Sequence, residues 1–278
     1  MALPAGVVRN ARASYAFFER NIHLTKRYWA WEVVWLVYNI VNAVSVTYIG
    51  KTAALVDPNA HVNTSFLILY LLIGTVVWSY LSVAFDQVTE TITLERWEGT
   101  IEYTFMAPIT RLTHLLGSCL FAVVHGLFFV AVQLVVISYF FNLDLSHANV
   151  LTAGGILLIG SVSFVGFGIM AAILPLLYTE RGAQMAYIVR ALILLVSGVY
   201  YPISVLPGWM QPIARISPAT YVLDGMRQGI LYNKSLADLW PDIWPLLIAG
   251  VVSIPIGLWI FRIAERYAKR TGKLKRNG

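Results

Sequence analysis

The stretch LLGSCLFAVVHGLFFVAVQLVVISYFF, residues 115–141, contains no Asp, Glu, Lys or Arg. A bilayer core of about 30 Å is crossed by roughly 20 apolar residues in a helix. A barrel strand would alternate apolar and polar positions over about ten residues, whereas this run is apolar all round, and only a helix satisfies its own backbone inside lipid. Five more apolar runs of similar length flank it, so that the set spans approximately residues 33–50, 65–85, 112–141, 150–178, 183–205 and 240–262. The third and fourth are long enough to tilt or to project beyond the bilayer. The fold class that follows is all-α, a polytopic membrane protein with six transmembrane helices.

Composition agrees. The 278 residues are 58% hydrophobic and 12% charged, with a mean hydropathy of +0.70, against about 45–50% apolar and about 25% charged in soluble domains. Little chain remains for a second, soluble core. This argues against a disordered protein, a secreted disulfide scaffold and a chain carrying its own nucleotide-binding domain. The expected organisation is one domain over 1–278, with a cytoplasmic interfacial helix at 1–31, a six-span bundle at 32–262 and a basic cytoplasmic tail at 263–278. The net charge of +6 sets orientation and meets anionic headgroups rather than nucleic acid. A lone cysteine, Cys119, lies in an apolar run and reads as a small core residue. Arg9, Arg12, Arg20, Lys26 and Arg27 precede the first span with no cleavage-site pattern, so the first span is expected to serve as an uncleaved insertion signal.

With both termini on one side, that side collects fifteen Lys and Arg against four on the other. The positive-inside rule then places the termini in the cytoplasm. Ahead of the first span, Ala11, Tyr15, Phe18, Ile22 and Trp29 share one helical face and Arg9, Arg20 and Arg27 lie nearly opposite, the pattern of an amphipathic helix in the headgroup boundary.

Two connections stand out. The one from Asp86 to Arg111 holds Asp86, Glu90, Glu95, Glu98 and Glu102 against only Arg96 and Arg111. Within it Trp97, Ile101, Phe105 and Met106 follow a helical spacing that predicts an amphipathic helix ended by Pro108. Its acidic side and aromatic ridge suit a docking surface for a cytoplasmic partner. The other connection, between the fifth and sixth runs, carries Pro202, Pro207, Pro212 and Pro218 in an apolar, aromatic setting. Proline stops a straight membrane helix, and irregular backbone at membrane depth needs protein or water around it, so re-entrant helices are expected here.

Motifs of catalysis are missing from the sequence. There is no GxxxxGK[ST] phosphate loop, no GxSxG elbow, and His23, His61, His114, His125 and His147 are scattered without HExxH or Cys/His clustering. No catalytic residue and no metal site is expected. Arg190, midway along the fifth run, is the costliest intramembrane group and a candidate for function or for a structural pair. Asn39, Asn42, His125 and Gln133 suit either a polar path or hydrogen bonds between helices. Proton-coupled transport calls for deep carboxylates, whereas Glu32, Glu180 and Asp242 sit at the ends of runs; a membrane enzyme calls for clustered polar ligands.

LERWEGTIEYTFMAPITR, residues 94–111, and SGVYYPISVLPGWMQPIARISPATYVLDGMRQGI, residues 197–230, together resemble two segments of type-2 ATP-binding-cassette (ABC) exporter permeases. These are E-R-x-x-G-T-[LI]-E-x-x-x-x-[AS]-P-[IL] between the second and third spans, and G-x-x-[FY]-P-I-x-x-[LF]-P-x-W-x-x-x-[IL]-x-x-x-[SN]-P-x-x-[YH] between the fifth and sixth. In that family the first segment is a coupling helix that docks in a groove of a separate ATPase. The resemblance assigns that contact to Glu95, Arg96, Glu98, Gly99, Thr100, Glu102 and Pro108, with Trp97 on the ridge between them. The second segment forms short re-entrant helices that close the path outside, here bounded by Tyr201, Pro202, Pro207, Trp209, Pro218 and Tyr221. Asn39, Asn42, His125, Arg190, Tyr200 and Tyr201 are the candidate path residues.

The resemblance implies the membrane subunit of an ABC exporter in the cytoplasmic membrane of a prokaryote, paired with a second permease as a homodimer or heterodimer. Two copies of the ATPase would hold ATP and Mg, and the permease itself would need no cofactor. An aromatic, sparsely charged path suits an amphipathic drug or lipid, nearest to daunorubicin-resistance-like permeases. The alternative within the class is a polysaccharide or teichoic-acid exporter. KRYWAWEVVWLVYN at residues 26–39 lacks the glycine and proline usual in their L-G-x-x-W-x-x-x-x-P entry to the first span.

Overall fold

A computed structural model describes residues 5–56, 64–141 and 148–274. His61, His147 and the last basic residues, Lys275 and Arg276, lie outside the described residues, as does most of the 142–149 connection. Among the described residues the chain is all-α, without a strand. In order it forms α1 (Ala5–Arg27), α2 (Trp29–Val56), α3 (Thr64–Glu98), α4 (Ile101–Met106), α5 (Arg111–Phe141), α6 (Val150–Ala171), α7 (Ile173–Leu177) and α8 (Gly182–Val196). A 3-10 turn (Ile203–Val205) follows, then α9 (Gln211–Ile216), α10 (Pro218–Leu231) and α11 (Trp240–Arg270).

Among the described residues, five segments are long and apolar enough to cross a membrane: Trp29–Thr52, Ser65–Glu98, Arg111–Phe141, Val150–Leu177 and Trp240–Arg270. The expected fifth run, 183–205, is not one continuous helix. Its helical part is α8, 15 residues long, which rises about 22 Å at 1.5 Å per residue, less than a bilayer core of about 30 Å. Ser197 ends it and Gly198, at φ 71, turns the backbone into the left-handed region. Two further boundaries differ from expectation. α3 does not stop near residue 85 but runs on to Glu98, and α11 extends to Arg270, taking in half of the expected tail. Hydropathy falls at both places while helical hydrogen bonding continues.

The core is built on α3, α6 and α10. Leu72, Tyr80, Phe85, Ile156, Phe164, Val222 and Leu223 are all but inaccessible within one cluster. α6 packs most closely on α11. That approach depends on Gly166, where a β-carbon would collide with the Ser253 side chain; small residues at such crossings let membrane helices meet backbone to backbone. By contrast α2, α5, α8 and α11 leave broad apolar faces outward, including Trp31, Trp35, Phe128, Ile188, Leu192 and Trp259.

α1 sits on α5. Ser14 Oγ donates to the Thr113 carbonyl at 3.1 Å, and Phe17 and Phe18 pack on His114 and Phe121. The face toward the protein is therefore Ser14, Phe17, Phe18 and Asn21, while Tyr15 and Trp29 of the expected apolar stripe remain exposed. Arg20, expected toward water, reaches instead to Glu95 at 3.3 Å.

Candidate functional site

The junction of α3 and α4 is set by one glycine. Gly99 has φ 74; its N–H donates to the Arg96 carbonyl at 3.3 Å and the Thr100 N–H to the Glu95 carbonyl at 2.9 Å. This pair of bonds is a Schellman cap, which explains why Trp97, Ile101, Phe105 and Met106 do not lie on one continuous helix. The predicted ridge is split. Ile101 and Phe105 are buried in the chain's own core, and Trp97, Tyr103 and Met106 point outward. α4 ends at Met106, ahead of Pro108. Gly99→Ala is expected to cost about 1–2 kcal/mol, because a β-carbon is strained in the left-handed region, readable as a lower thermal unfolding midpoint in detergent.

Of the residues assigned to docking, Glu98, Thr100 and Pro108 are exposed with Trp97, Glu102 is half-buried, and Glu95 and Arg96 are buried. The buried pair holds the turn in place from inside. Glu95 Oε1 accepts from Arg20 of α1 and lies 2.9 Å from His114 Nε2 of α5, so one carboxylate ties three helices. Arg96 donates to the Thr179 hydroxyl and Trp97 Nε1 to the Thr179 carbonyl at 3.2 Å, joining the end of α3 to the turn before α8. On the far side Arg111 donates to the Thr104 and Phe105 carbonyls at 3.3 and 2.8 Å and in two-point fashion to Glu265 of α11 at 2.8 and 2.9 Å. Its guanidinium also covers the Phe105 ring at 4.2 Å. In the sequence Arg111 reads as an orienting charge, and nothing local marks His114, Thr179 or Glu265 as supports of the turn.

Within the chain the candidate path residues fall into separate side-chain contacts. Arg190 pairs with Asp86 of α3 and lies over the Tyr187 ring at 5.0 Å. Asp86 is thus no loop residue but a bundle carboxylate facing the middle of α8, where the expectation had placed acids only at run ends. One turn further along α3, Glu90 is exposed and within electrostatic reach of Glu32 on α2. His125 is 3.2 Å from Glu32 without the alignment of a hydrogen bond; it stacks on Phe121 and meets Phe129 at a tilt. Asp86, Glu90, Glu32, His125 and Arg190 thus make a polar strip spread over α2, α3, α5 and α8.

Asn39 takes another part. Its carbonyl accepts from Gln133 Nε2 at 3.1 Å, and Gln133 Oε1 accepts from Ser79 Oγ at 3.1 Å, a bridge across α2, α5 and α3. Asn42 is exposed. Gln133→Leu is expected to lower stability by about 0.6–1.7 kcal/mol, the usual worth of such interhelical bonds, without altering any transport readout beyond that loss.

Beyond α8 the chain makes an excursion that closes on itself. It leaves at Ser197 and returns at Ser217, whose hydroxyls are 2.9 Å apart. Thr220 Oγ1 donates to the Ala214 carbonyl at 2.8 Å, Gln211 Nε2 to the Leu206 carbonyl at 3.0 Å, Tyr201 OH to the Leu195 carbonyl at 2.6 Å and Tyr221 OH to the Arg215 carbonyl at 2.7 Å. These side chains satisfy carbonyls that proline-broken helices leave open. Pro218 is buried at the first turn of α10, Tyr200 is half-buried against the core, and Pro202, Pro207 and Trp209 face outward.

Five membrane-length helices around a small-residue crossing, with a capped turn at one end and a proline-rich hairpin elsewhere, define a polytopic all-helical membrane protein. The chain belongs to the ABC-2 type transporter family, whose model matches residues 14–231, and is an ABC-2 permease. It is 26% identical over 199 residues to the protein named "Probable multidrug ABC transporter permease YbhR" of Escherichia coli K12, covering 71% of this chain and 51% of that protein. Over 162 residues it is 24% identical to "Inner membrane transport permease YadH" of the same strain, covering 58% of this chain and 62% of the relative. The chain therefore matches about half the length of the first relative, 51%.

Proposed function

We propose that this chain is the membrane-spanning subunit of an ABC exporter that moves an amphipathic drug or lipid-like substrate out of the cytoplasm of a prokaryote. Two copies of a separate ABC ATPase, which hold ATP and Mg, drive it, and a second permease completes the path. The observation that carries the reading is the α3–α4 turn. Trp97, Glu98, Tyr103 and Met106 are exposed at its tip, while Glu95, Arg96 and Arg111 fasten its base to α1, α5, α11 and the turn before α8. An exposed tip on a braced base suits a lever, since force applied there passes into α3 rather than into a flexible loop.

In this reading both termini are cytoplasmic, α1 lies at the inner interface, and α8 with the hairpin after it completes the sixth crossing and its outer gate. ATP binding draws the two ATPase subunits together, the turns follow, and α3 carries the motion to Asp86–Arg190 and to the hairpin. The cycle requires the two states to differ in affinity for nucleotide. The polar strip within otherwise apolar, tyrosine-bearing faces supports a substrate with one charged end and an apolar body, and the likeness to YbhR, named a probable multidrug permease, supports a drug.

The test is to look for an ABC ATPase gene beside this one, co-express the two, purify the pair into lipid nanodiscs and measure ATP hydrolysis with and without daunorubicin. Co-purification and drug-stimulated hydrolysis are expected. A permease that recovers no ATPase under conditions where both are produced would overturn the reading.

A further inference from the structure

Where α8 breaks, one cation is stitched beneath the turn. Arg227 of α10 is buried, donates through Nη2 to the Gly198 and Val199 carbonyls at 3.1 and 2.8 Å, and lies over the Tyr70 ring at 3.5 Å. Carbonyls at a helix C-terminus attract a cation, which explains that half of the guanidinium. The other half is unused. Nη1 makes no hydrogen bond among the described residues and comes no closer than 4.0 Å to Asp224, and Nε is buried without an acceptor. Asp224 in turn is half-exposed, and among the described residues no other cation pairs with it. Both open onto a cavity of about 240 Å³ walled by Tyr70, Pro202, Ile203 and Ser204.

This cavity offers a donor-rich positive group and a carboxylate side by side, so its complement is a ligand with an anion and an ammonium a few atoms apart. A simple anion would meet Asp224, and a simple cation would meet Arg227. The surroundings indicate where such a ligand comes from: Val205, next in the chain to the wall residue Ser204, and Trp209, further along the same excursion, are 70% and 71% exposed, apolar and aromatic residues of the kind that sit at headgroup level. The site also lies near the start of α3, roughly 40 Å along that helix from the α3–α4 turn at 1.5 Å per residue. We propose that the cavity binds the zwitterionic headgroup of an aminophospholipid, its phosphate on Arg227 Nη1 and its ammonium on Asp224, with the acyl chains over Val205 and Trp209. Bound there, the lipid splints the broken end of α8 to α10.

The test is native mass spectrometry of the purified 278-residue chain with added phosphatidylethanolamine, phosphatidylglycerol or soluble phosphoethanolamine, with thermal unfolding measured in parallel. The wild type is expected to retain phosphatidylethanolamine over phosphatidylglycerol by roughly fivefold or more and to gain thermal stability from it. Asp224→Asn should lose the preference and the gain while keeping its fold, because that side chain holds no helix in place. Ser204→Trp, at the exposed rim, should fill the cavity and exclude the lipid. Equal retention of the two lipids by the wild type, an unchanged preference in Asp224→Asn and Ser204→Trp, or binding of soluble phosphoethanolamine as tight as that of the lipid would each overturn the proposal. None of these measurements needs the ATPase, so their failure leaves the exporter reading untouched.

Discussion

In the exporter reading, Glu98→Arg combined with Glu102→Arg is expected to leave a folded permease that no longer recovers the ATPase and shows no drug-stimulated hydrolysis. Glu98 is exposed at the tip and Glu102 is half-buried in the first turn of α4. Reversing Glu102 gives up a favourable charge at a helix N-terminus, about 0.3–1 kcal/mol, and places a second cation within electrostatic reach of Arg96. The fold tolerates that, since Gly99, Arg111 and Glu95 brace the turn independently. An interface built for two carboxylates fares worse, because like charges brought together there cost several kcal/mol, which is at least a hundredfold in affinity. The measurements are co-purification yield and hydrolysis rate in nanodiscs, with the unfolding midpoint as control. Assembly and coupling both intact in the double variant would show that the ATPase docks elsewhere.

How the turn reads in the sequence shows what pattern alone can reach. The apolar runs are legible because bilayer thickness imposes a length on them, and five of the six emerge as helices long enough to cross. Their ends are less legible. Asp86 and Glu90 look like loop residues by hydropathy, yet α3 continues through them, because Asp86 finds Arg190 at a separation of 104 residues and no local window contains that partner. α4 shows the same limit in reverse. Its spacing announces an amphipathic helix, but spacing cannot say whether the apolar side faces a partner or the chain's own core, and Ile101 and Phe105 turn out to be core. In the hairpin the prolines do announce the break. What closes it, the Ser197 and Ser217 hydroxyls and Arg227 under the Gly198 carbonyl, depends on residues that look ordinary until α8 and α10 are placed side by side.

Glu265→Ala is expected to be the most destabilising single change at the turn, at about 3–5 kcal/mol, the cost of removing one partner from a buried ion pair. Both side chains of the pair are nearly inaccessible, at 12% for Arg111 and 9% for Glu265, with Lys269 2.7 Å from the same carboxylate. Truncation leaves the Arg111 guanidinium without its anion, while Lys269, 47% exposed, is free to turn to solvent. Glu265→Gln keeps the shape and one acceptor, so it is expected to cost less, about 1–3 kcal/mol. Exchanging the pair for apolar residues, Arg111→Met with Glu265→Leu, separates two roles. If Arg111 served only the ion pair, the double variant would be close to neutral; because it also donates to the Thr104 and Phe105 carbonyls, α4 should still lose its C-terminal cap. Unfolding midpoints in detergent order the three variants, and hydrogen exchange over residues 101–106 reports whether α4 frays. In the exporter reading, Glu265→Ala also lowers drug-stimulated hydrolysis at temperatures where the permease remains folded, although α11 presents no residue at the docking tip. Wild-type stability in Glu265→Ala would remove the brace from the mechanism and leave the turn as a surface without a lever behind it.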